Sequence, residues 1–153
     1  MFRKILIPTD GSDISMKAAM EGMEFAVANG SEVYGLYVAP EYHYPVYIEI
    51  IPPTYPLEEE YQELMRKIGN GYFESIEEAA KKAGIAFHGE IVFSNSAASA
   101  IVQVAEEEGC DLIFMGSHGR SGLGQLILGS VTSKVLSLCK IPVLVSRPRT
   151  AED

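Results

Sequence analysis

Cysteine is scarce in this 153-residue chain. Cys110 and Cys139 stand far apart and form no CxxC pair. In a chain without an evident export signal, such thiols read as buried side chains rather than as a disulfide or a metal site. Long apolar runs are missing too: none approaches the roughly 20 residues that a membrane span needs. The opening segment MFRKILIPTD has a basic pair but only a short apolar stretch, with no small-residue cleavage site after it. A strand is expected there rather than a signal peptide, and the protein is expected in the cytoplasm. Positive charge is in short supply, with 12 Lys and Arg against 21 Asp and Glu, a net charge of −9 and a pI near 4.8. Such a surface repels nucleic acid and anionic lipid in general, although a local cationic or amide-lined site can still capture phosphate. Neither nucleic acid nor membrane is an expected partner. Two familiar phosphate motifs are absent: no lysine follows a G-x4-G in the Walker position, and no G-x-G-x-x-G follows the first strand.

What is present is alternation. Lys4–Thr9 contains the apolar run Ile5-Leu6-Ile7, of the kind buried on both faces of a parallel sheet. Thr9-Asp10-Gly11-Ser12 breaks it. Ser12 or Asp13 then caps a helix whose stripe includes Ala18, Ala19, Gly22, Met23, Ala26 and Val27, and Asn29-Gly30 ends it. Glu32–Val38 is the second strand. Ala39 to Leu57 carries five prolines and the tyrosines Tyr42, Tyr44, Tyr47 and Tyr55; prolines at that density exclude a long regular element. The tyrosines read as packing or interface residues.

A long helix follows from about Glu58 to Lys82, with Tyr61, Leu64, Met65, Ile68, Tyr72, Ile76, Ala79 and Ala83 on one face. Phe87–Phe93 is the third strand. Asn95 or Ser96 opens a helix with Ala97, Ile101, Val104 and Ala105 inward. Asp111–Met115 is the fourth strand, Ser130–Cys139 a final helix carrying Val131, Val135 and Leu138, and Pro142–Val145 the fifth strand. There is no internal repeat and no interior linker, so residues 1–153 read as one domain. Strict strand–helix alternation argues an α/β fold with an open parallel sheet and helices on both faces.

Ligands of such sheets collect beyond the carboxyl ends of the strands. Strand one runs out into Pro8-Thr9-Asp10-Gly11-Ser12. Strand four runs out into Gly116-Ser117-His118-Gly119-Arg120, and Gly129-Ser130 then opens the last helix. Gly119 admits close approach of a ligand to backbone. The free amides at Gly129-Ser130, with the helix dipole behind them, form an anion site. Ser130 adds a hydroxyl, and Arg120 or His118 adds positive charge.

Pro8-x-Asp10, Met115-Gly116-Ser117-His118-Gly119, Gly129-Ser130-Val131 and the closing Pro142-Val143-Leu144-Val145 resemble the universal stress protein family over almost the whole chain. The spacing G-x2-G-x9-G-S resembles that of its ATP-binding branch, with no departure at those positions. The resemblance implies a Rossmann-like sheet of the adenine-nucleotide α-hydrolase type in order 3-2-1-4-5, usually dimeric, binding ATP with a divalent cation such as Mg2+ or Mn2+ held mainly by the phosphates. It implies that Asp10 and Gly116 hold the ribose, that Val38 and Met115 bound the adenine, and that Gly119, Gly129, Ser130 and Val131 contact the phosphates. Pro8, Thr9 and Arg120 complete the expected set of ATP-binding residues.

The residues also allow plainer readings. Asp10 can be a cap or turn residue, Gly116 and Gly119 ordinary loop glycines, and Gly129-Ser130 the start of a helix with nothing bound. His118 reads as a loop residue without a carboxylate partner, and His43 and His88 as surface or strand residues. No residue is assigned a catalytic role, since nothing supplies a convincing base for phosphoryl transfer. Three functions stay open: a nucleotide-binding regulatory module read by a downstream protein, a slow ATPase or phosphotransferase using His118 or Asp10, and an interaction protein with a vestigial pocket. In order 3-2-1-4-5 the fifth strand is an uncharged apolar edge, which predicts a homodimer through Pro142–Ser146.

Overall fold

The structure, a computed structural model, describes residues 1–44, 54–118 and 128–149. These form β1 (Lys4–Pro8), α1 (Asp13–Asn29), β2 (Glu32–Ala39), α2 (Glu58–Ala83), β3 (Phe87–Phe93), α3 (Ala97–Glu107), β4 (Leu112–Gly116), α4 (Ser130–Leu138) and β5 (Val143–Ser146). The strands make one parallel sheet in the order β3-β2-β1-β4-β5. The chain reverses its direction of travel across the sheet between β1 and β4, and a crevice opens beyond their carboxyl ends.

The apolar run of β1 explains why both faces are covered. Successive strand residues point to opposite faces. Ile5 and Ile7 enter the core beneath α1 and α2 with Met23, Phe73, Ile76 and Phe114. Leu6 enters the core beneath α3 and α4 with Leu36, Ile101, Ile113 and Val135. All three residues of the run have no exposed surface, which is worth about 1.5–3 kcal/mol for each side chain. The start of β1 is tied to β4 by Asp111, whose carboxylate accepts the amides of Arg3 (2.9 Å) and Lys4 (3.0 Å).

The helices depart from the expected stripes in instructive ways. On α2 the buried residues are Gly69, Phe73, Ile76 and Ala80, whereas Leu64 is 52% exposed and Ala83 is exposed. The stripe turns because Gly69 is the point of closest approach. A Cβ there would lie 2.7 Å from Ile91 Cγ1 and 2.8 Å from Tyr37 Cδ1, so a residue with no side chain sits at the centre of the contact. Val27 at the end of α1 is exposed instead of joining the buried stripe, and Val131 and Leu138 on α4 are exposed as well; on α4 the buried positions are Thr132 and Val135. Cys110 is buried and Cys139 half-buried, and both are free thiols. Burial pushes the Cys110 thiol up to about 11.

The described part of the Tyr- and Pro-rich excursion is held by its own aromatic rings. Tyr42 stacks near Tyr55 and Tyr61, and Tyr61 near Phe93. Each tyrosine hydroxyl donates to a backbone carbonyl: Tyr42 to Pro56 (2.7 Å), Tyr61 to Pro40 (2.6 Å), and Tyr55 to His43. These three tyrosines therefore act in packing, as expected. Pro45, Tyr47, Pro52 and Pro53 lie outside the described residues.

Candidate functional site

At the carboxyl end of β1 the chain turns through Thr9-Asp10-Gly11-Ser12. Thr9 is buried, with its hydroxyl 3.0 Å from Ser15 Oγ and accepting the Gly11 amide at 3.2 Å. Asp10 Oδ1 accepts the Ser12 amide at 3.0 Å, and Ser12 Oγ accepts the Ser15 amide to cap α1. Asp10 is thus a turn residue, and its place at the end of β1 also brings it into the crevice. Gly11 has φ +78°, and a Cβ there would fall 2.1 Å from Tyr72 Cζ. Only glycine suits a position that is both left-handed and covered by an aromatic ring.

The exit from β4 is bound to both its neighbours. The Ser117 amide donates to Ser146 O at 2.7 Å, its carbonyl accepts the Gly129 amide at 2.8 Å, and the Thr132 hydroxyl donates to Gly116 O at 2.9 Å. These bonds set the start of α4 directly over the end of β4. The cap of α4 is Gly129, which contributes no side-chain bond. The leading amides of a helix have no acceptor inside it.

Between the two turns lies a cleft with about 550 Å3 of empty space, solvent at its mouth included, a size within the range of small-molecule sites. Its walls are apolar: Leu36 and Val38 from β2, Met115 from β4, Ala97 and Ile101 from α3, and Val131 from α4. Its polar lining is Thr9, Asp10, Ser15, His118 and Thr132, beside Pro8 and Gly116.

Of the residues singled out by sequence, the cleft brings together Pro8, Thr9, Asp10, Val38, Met115, Gly116 and Val131. Gly129 and Ser130 begin α4 beside it without forming its wall. Gly119 and Arg120 lie outside the described residues. Sequence reasoning missed Ser15, Leu36, Ala97, Ile101 and Thr132 as lining residues, and it read His118 as a loop residue that could add positive charge rather than as part of the cleft wall. Leu36 was within reach, since it stands two residues before Val38 on the same face of β2 and opposite Pro8.

The first 147 residues match the model of the universal stress protein family. The chain belongs to that family. Universal stress protein MJ0531 of Methanocaldococcus jannaschii is 34% identical over 149 residues, covering 95% of this chain and 82% of that one. The solved structure of MJ0577, also a universal stress protein of M. jannaschii, superposes with a TM-score of 0.73 at 32% identity and covers 99% of both chains. A universal stress protein crystallised in complex with cAMP shares the fold, with a TM-score of 0.65 at 22% identity over 95% of this chain and 97% of that one. Among the described residues of this universal stress protein, no helix is long and apolar enough to cross a membrane. No group of three or more His, Cys, Asp or Glu side chains is placed to hold a metal ion among them.

Proposed function

We infer that this protein is a single-domain, nucleotide-binding regulatory module of the cytoplasm, holding ATP and read in that state by a downstream protein. The observation that carries the reading is one cleft, apolar between Val38 and Met115, that meets Asp10 on one side and, on the other, the start of α4, whose Gly129 cap contributes no side-chain bond. An apolar slot accepts a flat base, a carboxylate accepts the hydroxyls of a sugar, and a row of free amides accepts phosphate oxygens. Asp10 and Gly116 are assigned to the ribose, Val38 and Met115 to the adenine, and Gly129, Ser130 and Val131 to the phosphates, with Gly119 and Arg120 joining them. A relative of this fold crystallised with cAMP supports an adenine nucleotide as something the fold admits.

Asp10 is the only carboxylate among the described lining residues. That donor set suits a Mg2+ or Mn2+ ion carried mainly by the phosphates rather than by a protein cage. The same sparseness favours holding ATP over hydrolysing it: the described partner of His118 Nδ1 is the Ser117 hydroxyl, not a carboxylate of the kind that orients a general base. Mass spectrometry of small molecules released by denaturing the purified protein tests the reading. ATP or another adenine nucleotide is expected. Its absence, together with no heat on titrating ATP, would leave a vestigial pocket as the better description.

A homodimer is part of the proposal. Among the described residues the outer edge of β5 has no pairing strand, and Val143, Leu144 and Val145 on it are half-buried and uncharged. Uncovered apolar edges invite the same strand of a second copy.

A further inference from the structure

Thr9 and Asp10 line the cleft, whereas Gly11 and Ser12, which complete the same turn, do not. The side-chain bonds that shape the turn are short-range. Thr9 Oγ1 accepts the Gly11 amide, Asp10 Oδ1 accepts the Ser12 amide, and Ser15 Oγ accepts the Asp10 amide at 3.3 Å. Thr9 is tied to the sheet, its own amide donating to Leu36 O at 2.9 Å. The next link is Gly11, at φ +78°, and glycine has the widest backbone freedom of any residue. A link of that kind, left to itself, must be ordered when a ligand arrives, at a cost to affinity.

What covers this link comes from a distant part of the chain. A Cβ on Gly11 would lie 2.1 Å from Tyr72 Cζ and 2.3 and 2.6 Å from its two Cε atoms. The outer end of the ring thus rests in the space that glycine leaves open. Tyr72 is itself held. Its ring meets that of Tyr37 edge to face, with centroids 5.2 Å apart, and Tyr37 is buried in the sheet. Three residues earlier on the same side of α2, Gly69 lets the helix close on Tyr37 and Ile91, which brings the Tyr72 ring down over the turn. The contact is made from the far side of the sheet. Tyr37 and Tyr72 pack in the core beneath α1 and α2, whereas Leu36, Ile101 and Met115 of the cleft belong to the core beneath α3 and α4. Tyr72 is no part of the cleft wall.

We propose that Tyr72 is a positioning residue of the site: its ring, carried on α2, holds the Gly11 turn in place before a ligand arrives and so aims Asp10 into the cleft, without touching what binds there. The proposal rests on the nucleotide reading above, and its test separates the two. Calorimetric titrations with ATP would compare the wild-type protein with Tyr72→Leu, which removes the ring, and Tyr72→Phe, which keeps it. Asp10→Ala and the double variant Asp10→Ala/Tyr72→Leu complete a cycle, with urea denaturation confirming that each protein is folded. Tyr72→Leu is expected to lose about tenfold in affinity, the order set by one backbone link left unordered, and Tyr72→Phe to stay within about twofold of the wild type. In the Asp10→Ala background the same leucine should cost less than about twofold, because the side chain that the ring aims is gone. Unchanged ATP affinity in Tyr72→Leu would overturn the proposal and leave the nucleotide reading intact. Equal losses with and without the Asp10 carboxylate would also overturn it, making Tyr72 a general support of the fold. So would an equal loss in Tyr72→Phe, since the ring would then not be what holds the turn. Wild-type protein that binds no ATP would overturn the nucleotide reading and the proposal with it. Relaxation NMR of the ligand-free wild-type protein does not depend on how any variant folds. The Gly11 amide is expected to be as ordered as the strands, with an order parameter of about 0.85, and a value below about 0.6 sinks the idea.

Discussion

At the scale of single residues, the site is shaped as much by what glycine leaves out as by what the functional side chains bring. Gly11 separates Asp10 from the cap of α1 in a left-handed conformation, with the Tyr72 ring in the space a Cβ would fill. Replacing it with alanine adds both backbone strain and an overlap that the ring must escape by moving. Gly11→Ala is expected to lower stability by about 2 kcal/mol or more, readable in urea denaturation, and to weaken nucleotide binding by shifting Asp10. A variant as stable as the parent would show that Tyr72 yields easily and does not hold the turn. His118 teaches a related lesson. From sequence it had no partner to mark it out, because the neighbour that orients it, Ser117, is an ordinary serine until β5 and α4 lock it in place.

Elements are joined at their ends by side chains as well as by backbone hydrogen bonds. Asp111 was expected as the first residue of the fourth strand; instead β4 begins at Leu112, and the Asp111 carboxylate serves the amides of Arg3 and Lys4. Burial raises its pKa, but those amides and the Arg3 charge outweigh that effect and hold it below the ordinary carboxylate value. A depressed folded-state pKa means that the unfolded chain binds the proton more readily. The stabilisation is therefore present above about pH 4 and is lost as the pH falls through the folded-state pKa. Asp111→Asn should cost about 1 kcal/mol at neutral pH, with the gap to the wild-type protein narrowing below about pH 4. Denaturation series at pH 7 and pH 3 would check it; a gap of equal size at both would mean that the charge plays no part.

For whole elements, strand spans were legible to within a residue or two, because alternation and apolar runs are local properties of the chain. The face that each helix buries was less legible. The stripe drawn through Leu64, Ile68 and Ala83 of α2 scored side chains by their apolarity, whereas the contact centres on Gly69, which has none. On α4 the apolar Leu138 and Val131 stay exposed, while the buried positions include the polar Thr132 because that hydroxyl has Gly116 O to bond.

For the molecule as a whole, association follows from the strand order. The order β3-β2-β1-β4-β5 puts an apolar strand at an edge, and a lysine on such an edge blocks pairing with another strand. Val145→Lys is expected to convert a dimer into a monomer in solution scattering while the far-ultraviolet circular dichroism keeps its α/β shape. A folded variant that remains dimeric would place the interface elsewhere.

The sequence alone determined the alternation of strand and helix, the parallel sheet with helices on both faces, and the two turns where a ligand would sit. Those features depend on residue spacing within a few turns of chain, and spacing is visible without coordinates. Only the tertiary structure decided which side chains share the cleft. Asp10, Val38, Ile101 and His118 meet there across 108 residues of sequence separation between the first and the last, through strand order, helix approach distances and hydrogen bonds between element ends. That is also how the Tyr72 ring came to lie over Gly11, since only the packing of α2 on the sheet brings two such distant residues together.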